Sequence, residues 1–371
     1  MTGAIQVCSR CILDSTIPGI EFDEKGVCNY CKKHDEFVKE YPTGSEGKRI
    51  LEEKVAEIKA AGKGKEYDCV VGVSGGVDST YTLYLAVQYG LRPLAVLFDN
   101  GWNSEIAVSN IKNATSKLGV DLETYVVNYE EFKAILVAFL KASTPHADIP
   151  TDVGIKSTLY RVAVENKIKY ILTGGNFRTE GFIPQEWSYL DGRYVRSVYE
   201  KFTNKKLEHF PNLTLAHYLY YMFIKKIKIV RILNYVEYPK EQIKELITKE
   251  LGWRDYGGKH YESIFTRFNQ TYMRYKKFGI DMRYVEYAAL VRSGQMSREQ
   301  ALQELKETPY TEEQLMSDVD YVVKKLGLTE EEFKKIYALP VKTFHDYPTY
   351  YPLINAVRPV VNFIQKFGSR L

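Results

Sequence analysis

Asp68-Cys69-Val70-Val71-Gly72-Val73-Ser74-Gly75-Gly76-Val77-Asp78-Ser79-Thr80 is the stretch whose reading decides the fold. Residues 68–73 are a short, apolar, β-branched run, the composition of a parallel strand buried on both faces. A glycine-rich turn over 74–79 follows directly, and 81–89 then has helical apolar spacing up to Gly90, a natural helix stop. Strand, glycine turn and helix in this order make an anion cradle. Glycines let successive backbone N–H groups converge, and the helix N-terminus adds its dipole. Ser74, Ser79 and Thr80 contribute hydroxyl donors beside Gly75 and Gly76. Asp78 is out of place in such a nest unless a divalent cation, for which Mg²⁺ is suited, joins its carboxylate to phosphates. The stretch is not G-x-x-x-x-G-K-[ST], because no lysine follows the glycines, nor is it G-x-G-x-x-G.

Outward from this stretch the alternation continues. Residues 93–98 read as a second strand ending at Asp99-Asn100-Gly101. A helix over 106–118 and a strand over 124–127 follow, then a helix over 156–167 and a strand over 170–172 ending in Thr173-Gly174-Gly175-Asn176. The pattern predicts an α/β fold with a doubly wound parallel sheet. Ligands on such sheets bind at the C-terminal strand ends, where 74–79, 99–100 and 173–176 all fall. Past residue 205 the strand signal fades, and capping boxes open helices at Ser297, Thr311 and Thr329. The expected organisation is a metal-binding knuckle over 1–40, a linker helix over 41–65, a nucleotide-binding α/β domain over 66–204, and a mainly helical lobe over 205–371.

With 371 residues the chain can build more than one packing unit, and its net charge of +4 permits a phosphate ligand without marking a nucleic-acid-binding surface. No nucleic acid is therefore expected as a partner. The N-terminus shows no secretory pattern. The most apolar stretch, 213–224, is about half of what spans a bilayer and reads as a buried helix. A cytoplasmic protein with no membrane partner is the expectation.

Four of five cysteines form Cys8-x-x-Cys11 and Cys28-x-x-Cys31, separated by sixteen residues. Two thiolates per tight turn suit one tetrahedral ion, and four close its shell, so the site reads as structural Zn²⁺. Two disulfides or an iron–sulfur cluster are the alternatives, the first disfavoured in a reducing cytosol. Gly26 supplies the turn before the second pair, and Cys69, within the strand, reads as inert packing.

The segment Ser74-Gly75-Gly76-Val77-Asp78-Ser79 resembles the S-G-G-x-D-S signature of the PP-loop ATP-pyrophosphatase superfamily. The resemblance implies that the loop holds the pyrophosphate of ATP, that Asp78 is a magnesium ligand, and that Asp99, Asn100, Gly174 and Gly175 hold the nucleoside. The whole chain is similar to N-acetyl-sugar amidotransferases of O-antigen and pseudaminic- or legionaminic-type sugar pathways. The similarity runs through Cys8-Ser9-Arg10-Cys11, residues 22–28, 73–80, 97–102 and 172–176, Gly258-Lys259-His260-Tyr261-Glu262-Ser263, residues 277–281 and 293–296.

That resemblance implies conversion of an acetamido group on a diacetamido sugar to an acetamidino group, through an O-adenylyl imidate attacked by ammonia. Thr2 stands where an N-terminal glutaminase would need cysteine. The implied ammonia source is therefore a separate glutaminase subunit resembling that of imidazole-glycerol-phosphate synthase, which a cyclase-like subunit can accompany. Lys259, His260 and Glu262 are the late catalytic candidates beside Asp78, Lys259 to balance phosphate charge and His260 or Glu262 to move protons. The plainer reading of that segment is a helix N-terminus with solvated charges. Arg178 and Trp187 could face the sugar, and His146 and Lys156 could line the site. Two rival readings stand. One is a tRNA-thiolating PP-loop enzyme, disfavoured by the lack of further exposed cysteines. The other is a non-catalytic nucleotide-binding relative.

Overall fold

The computed structural model describes residues 5–258, 261–308 and 310–357. Its centre is a five-stranded, all-parallel sheet: β1 (Cys69–Gly72), β2 (Pro93–Asp99), β3 (Leu122–Val126), β4 (Tyr170–Leu172) and β5 (Lys228–Val230) in the order β3-β2-β1-β4-β5. The doubly wound α/β expectation holds. Because side chains alternate along each strand, Cys69 and Val71 of β1 join Ala95 and Leu97 of β2 on one face. Val70, Leu94 and Val96 face the other way. The first face is covered by helices Val77–Gln88, Glu105–Leu118 and Lys240–Leu251, the second by helix Ile149–Glu165.

From β1 the chain winds outward through β2 to β3, then crosses back to set β4 on the other side of β1. The crevice between the C-terminal ends of β1 and β4 is therefore the topological switch point, where a doubly wound sheet binds ligands.

Three expectations are corrected here. β5 lies beyond residue 204, so the sheet reaches into the segment read as a helical lobe. It is a three-residue edge strand with only Val230 buried, too short to show a pattern. The fourth helix begins at Ile149, a turn or two earlier than read, because Pro150 sits in its first turn, where the missing N–H costs nothing. Residues 213–224 are not a buried helix. They form a short α-helix, Leu215–Leu219, running into a π-helix, Tyr220–Ile224, and most of their large side chains are exposed.

Beyond the sheet the chain is mainly helical, with Ser297, Thr311 and Thr329 each accepting a backbone N–H as helix caps. Its largest core gathers Phe132, Phe139, Tyr194, Phe265, Phe268 and Phe333 and takes in Phe98 and Trp102 from the end of β2. Among the described residues, no helix is long and apolar enough to cross a membrane.

Candidate functional site

Ser74 to Ser79 close the C-terminal end of β1, and Gly76 is the N-cap of the helix that follows. Gly75 has φ +79°, and a Cβ there would stand 2.3 Å from the Ala107 carbonyl oxygen, so only glycine fits. The loop is tied internally: Ser74 N–H donates to Ser79 Oγ (3.2 Å), Gly76 N–H to Ser74 Oγ (3.3 Å), and Ser79 Oγ to the Gly76 carbonyl (3.2 Å). It is tied from outside as well, since Trp253 Nε1 (2.9 Å) and Asn110 Nδ2 (3.2 Å) both donate to the Gly75 carbonyl. Thr80 is buried one turn on.

The β4 loop lies directly against this one. A Cβ on Gly174 would come within 2.8 Å of the Asp78 carbonyl carbon, and one on Gly175 within 3.4 Å of the Arg231 side chain. Residues predicted from two distant segments thus line one crevice. Asp99 and Asn100 end β2, but their side chains serve the protein. Asp99 Oδ1 accepts from Gly101 N–H, while Asn100 accepts from Trp102 N–H and donates to Thr151 Oγ1.

Carboxylates crowd this anion cradle. Asp78 accepts a hydrogen bond from the Tyr238 hydroxyl. Tyr238 is buried, and burial together with Asp78 pushes its hydroxyl far above the usual tyrosine range, so it remains a donor. A Cβ on Gly76 would meet the Tyr256 hydroxyl at 3.2 Å and Glu262 Oε1 at 3.4 Å. Glu180 accepts from Asn176 N–H (3.1 Å) beside Gly175. Hard oxygen donors around a backbone phosphate nest are the donor set a divalent cation such as Mg²⁺ takes when shared with phosphates.

Glu262 reaches the loop because residues 262–264 are zipped to the chain after β2. Its carbonyl accepts from Ser104 N–H, Asn103 bridges Ser263, and Ile264 N–H donates to the Trp102 carbonyl. Ser263 then caps helix Ile264–Phe268. Lys259 and His260 lie outside the described residues.

Of the remaining candidates, Arg178 is engaged with backbone carbonyls of Asn234 (2.7 Å) and Tyr41 (2.6 Å) and acts as a brace. Trp187 is buried among residues packed on the cysteine knuckle. His146 Nδ1 meets Ser188 Oγ at 2.9 Å, its Nε2 lies 3.8 Å from Asp152, and Lys156 is exposed. Sequence reading missed Trp253, Tyr238, Tyr256 and Arg231. These aromatics are adjacent to the site only through tertiary packing, and Arg231 follows the strand that had no pattern.

The four knuckle cysteines are buried and unpaired by disulfides, and their sulfurs lie within 4.8 Å of one another. Cys8–Cys31 and Cys11–Cys28 are 3.9 and 3.8 Å apart. Four thiolates about 2.3 Å from one tetrahedral ion stand about 3.8 Å apart, so the set fits a single ion. A cluster that spreads thiolates over several irons needs wider spacing. Cys8 Sγ accepts N–H groups from Arg10, Cys11 and Cys28, and Arg292 Nη1 stands 3.8 Å from Cys11 Sγ, offsetting thiolate charge.

Residues 262–358 match the family described as LPS biosynthesis protein WbpG-like, C-terminal domain. Over most of its length the chain is similar to the uncharacterized protein MJ1599 of Methanocaldococcus jannaschii, with 26% identity over 303 residues, 80% of this chain and 92% of that one. A shorter stretch is similar to the tRNA-specific 2-thiouridylase MnmA of Photorhabdus laumondii, 32% identical over 120 residues, or 28% of this chain and 32% of that protein. Among solved structures, NMN synthetase from Francisella tularensis aligns over 76% of this chain and 96% of its own, with a TM-score of 0.38 and 16% identity.

Proposed function

We propose that this PP-loop protein, whose C-terminal part matches the WbpG-like domain family, is an ATP-dependent amidotransferase that turns a sugar acetamido group into an acetamidino group. The observation that carries the reading is the meeting of the two diagnostic segments. Glu262, the first residue of the WbpG-like match, reaches Gly76 of the phosphate loop. A substrate held by the C-terminal domain would thus be brought to the α-phosphate of ATP.

The chemistry is demanding because an amide oxygen is a poor leaving group. In the proposed sequence that oxygen attacks the α-phosphorus and the bond to pyrophosphate breaks, giving an O-adenylyl imidate. Ammonia then adds to the activated carbon, its nitrogen sheds a proton, and the C–O bond to AMP breaks. Backbone N–H groups at Gly75 and Gly76 and the helix N-terminus would hold the pyrophosphate, with Ser74 and Ser79 fixing the loop. Thr80 would support it from within the helix, and Asp99, Asn100, Gly174 and Gly175 would hold the nucleoside. Asp78 would hold Mg²⁺, whose charge would support departure of pyrophosphate. Glu262 and His260 are the candidates to take the proton, and Lys259 to balance phosphate charge. The knuckle would hold structural Zn²⁺, since four thiolates leave no open position.

Ammonia would come from a separate glutaminase subunit, with or without a cyclase-like companion. A test combines the protein with ATP, magnesium, ammonium and a panel of diacetamido sugars. Pyrophosphate release with a product lighter by the difference between O and NH supports the reading; thiolated tRNA and no sugar product would replace it with the rival.

A further inference from the structure

Residues 209–236 contain no aspartate or glutamate but hold Lys225, Lys226, Lys228 and Arg231. The same segment carries the densest group of exposed apolar side chains on the described surface. Phe223 and Ile224 are 66% and 69% exposed, and Leu219, Tyr220 and Met222 accompany them. These residues ride on the turn of π-helix Tyr220–Ile224, which Tyr221 anchors by stacking its ring on Tyr160 at 4.9 Å. Lys226, at φ +53°, turns the chain sharply from that helix into edge strand β5. Next to the tip is an open groove of about 470 Å³ lined by Tyr218, Met222, Ile227, Ile229, Lys226 and Lys228. Among the described residues no carboxylate lies within 4.0 Å of Lys225, Lys226 or Lys228.

We infer that this tip docks the protein on an anionic phospholipid surface. Bare apolar tips ringed by tyrosine and lysine match the two layers of a bilayer boundary. Phe223 and Ile224 would enter the acyl edge while the lysine ammonium groups stay at headgroup phosphates. The absence of acidic residues removes the repulsion that would oppose approach, and several lysines together give binding that one apolar contact would not. The expectation of no membrane partner rested on the length of 213–224, which tests for crossing a bilayer and not for lying on it, and on reading that stretch as a buried helix, whereas most of its large side chains are exposed. This inference does not depend on the proposed reaction.

The test is co-sedimentation of the full chain with vesicles of phosphatidylglycerol mixed with phosphatidylcholine, beside vesicles of phosphatidylcholine alone. The expected result is binding to the first that weakens with salt and is much feebler on the second. Replacing Lys225, Lys226 and Lys228 together by glutamine should lower the partition coefficient about a hundredfold. Phe223→Ser with Ile224→Ser should abolish binding. Both variants should keep the wild-type circular dichroism and melting curve, because Phe223, Ile224, Lys226 and Lys228 are exposed and Lys225 is only half-buried, against the Tyr220 ring. Three results would each overturn the inference: no binding to anionic vesicles, equal binding to neutral ones, or self-association or glutaminase capture that depends on Phe223 and Ile224 without any vesicle binding. The last would make the tip a protein interface.

Discussion

Asp78 is the residue on which the proposed chemistry leans most. It accepts from buried Tyr238 and lies against Gly174, so its carboxylate is held at the crevice between β1 and β4. Replacing it with alanine would strand the Tyr238 hydroxyl, at a cost of about 1–3 kcal/mol. Asp78→Asn keeps an acceptor and removes only the charge. The expected outcome is a fall of about a hundredfold or more in pyrophosphate release, with little change in the thermal midpoint. Turnover within a few-fold of wild type would mean Asp78 is no metal ligand.

A second residue gives a pH signature. Burial pushes the Asp148 carboxyl up to about 7, with Asp152 adding to the rise. Hydrogen bonds from Thr151 and Thr266 and the charge of Arg274 work against it. The folded state thus binds this proton more tightly than the unfolded chain, whose aspartate titrates near about 3.9. The group therefore contributes stability that is present at low pH and is lost as pH rises to about 7. Asp148→Asn should flatten that slope, so the variant gains on the wild type by about 2–4 kcal/mol between pH 4 and pH 8 in urea unfolding. Parallel pH profiles would show that Asp148 ionises freely. The phosphate loop was legible letter by letter because its glycines and serines act locally. Asp148, Tyr238 and Trp253 were not, because their roles come from burial and from partners far along the chain.

At the scale of elements, the cysteine knuckle is the unit whose spacing in sequence already implied its geometry. It is held to the rest of the chain by Arg298, which donates to the carbonyls of Cys8 and Cys11, and by hydrophobic packing around Ile12, Leu13 and Ile280. We expect about one zinc per chain by elemental analysis of protein purified without added metal, and loss of that metal in Cys28→Ser. Hydrogen exchange should then quicken across residues 5–40, since ligand binding and local folding are coupled. Iron in place of zinc would contradict the assignment. β2 and β4 were legible as apolar runs, and β1 sits inside the deciding stretch. β5 was hidden because an edge strand with one buried residue has no alternation to read. The run 213–224 was misread for the opposite reason. Its apolar content is high, but hydropathy counts residues and does not say which face is covered.

At the scale of the molecule, the sheet and the C-terminal segment form one site only because the chain after β2 pairs with residues 262–264. Nothing local in either segment announces that pairing. The nitrogen source is also a whole-molecule question. With Cys69, buried in β1, as the one cysteine outside the knuckle, the isolated chain should use ammonium salts but not glutamine, and more efficiently towards pH 9 as free ammonia increases. Glutamate formed from glutamine without a partner protein would require a glutaminase site within this chain. The central claim is that the sugar amide oxygen becomes bonded to the α-phosphorus of ATP, and one measurement follows that atom. A diacetamido sugar carrying ¹⁸O in its amide carbonyls is turned over with ATP and ammonium, and the AMP is weighed by mass spectrometry. The account predicts one ¹⁸O in every AMP released with the amidino product; amidination that yields AMP without the label would contradict it.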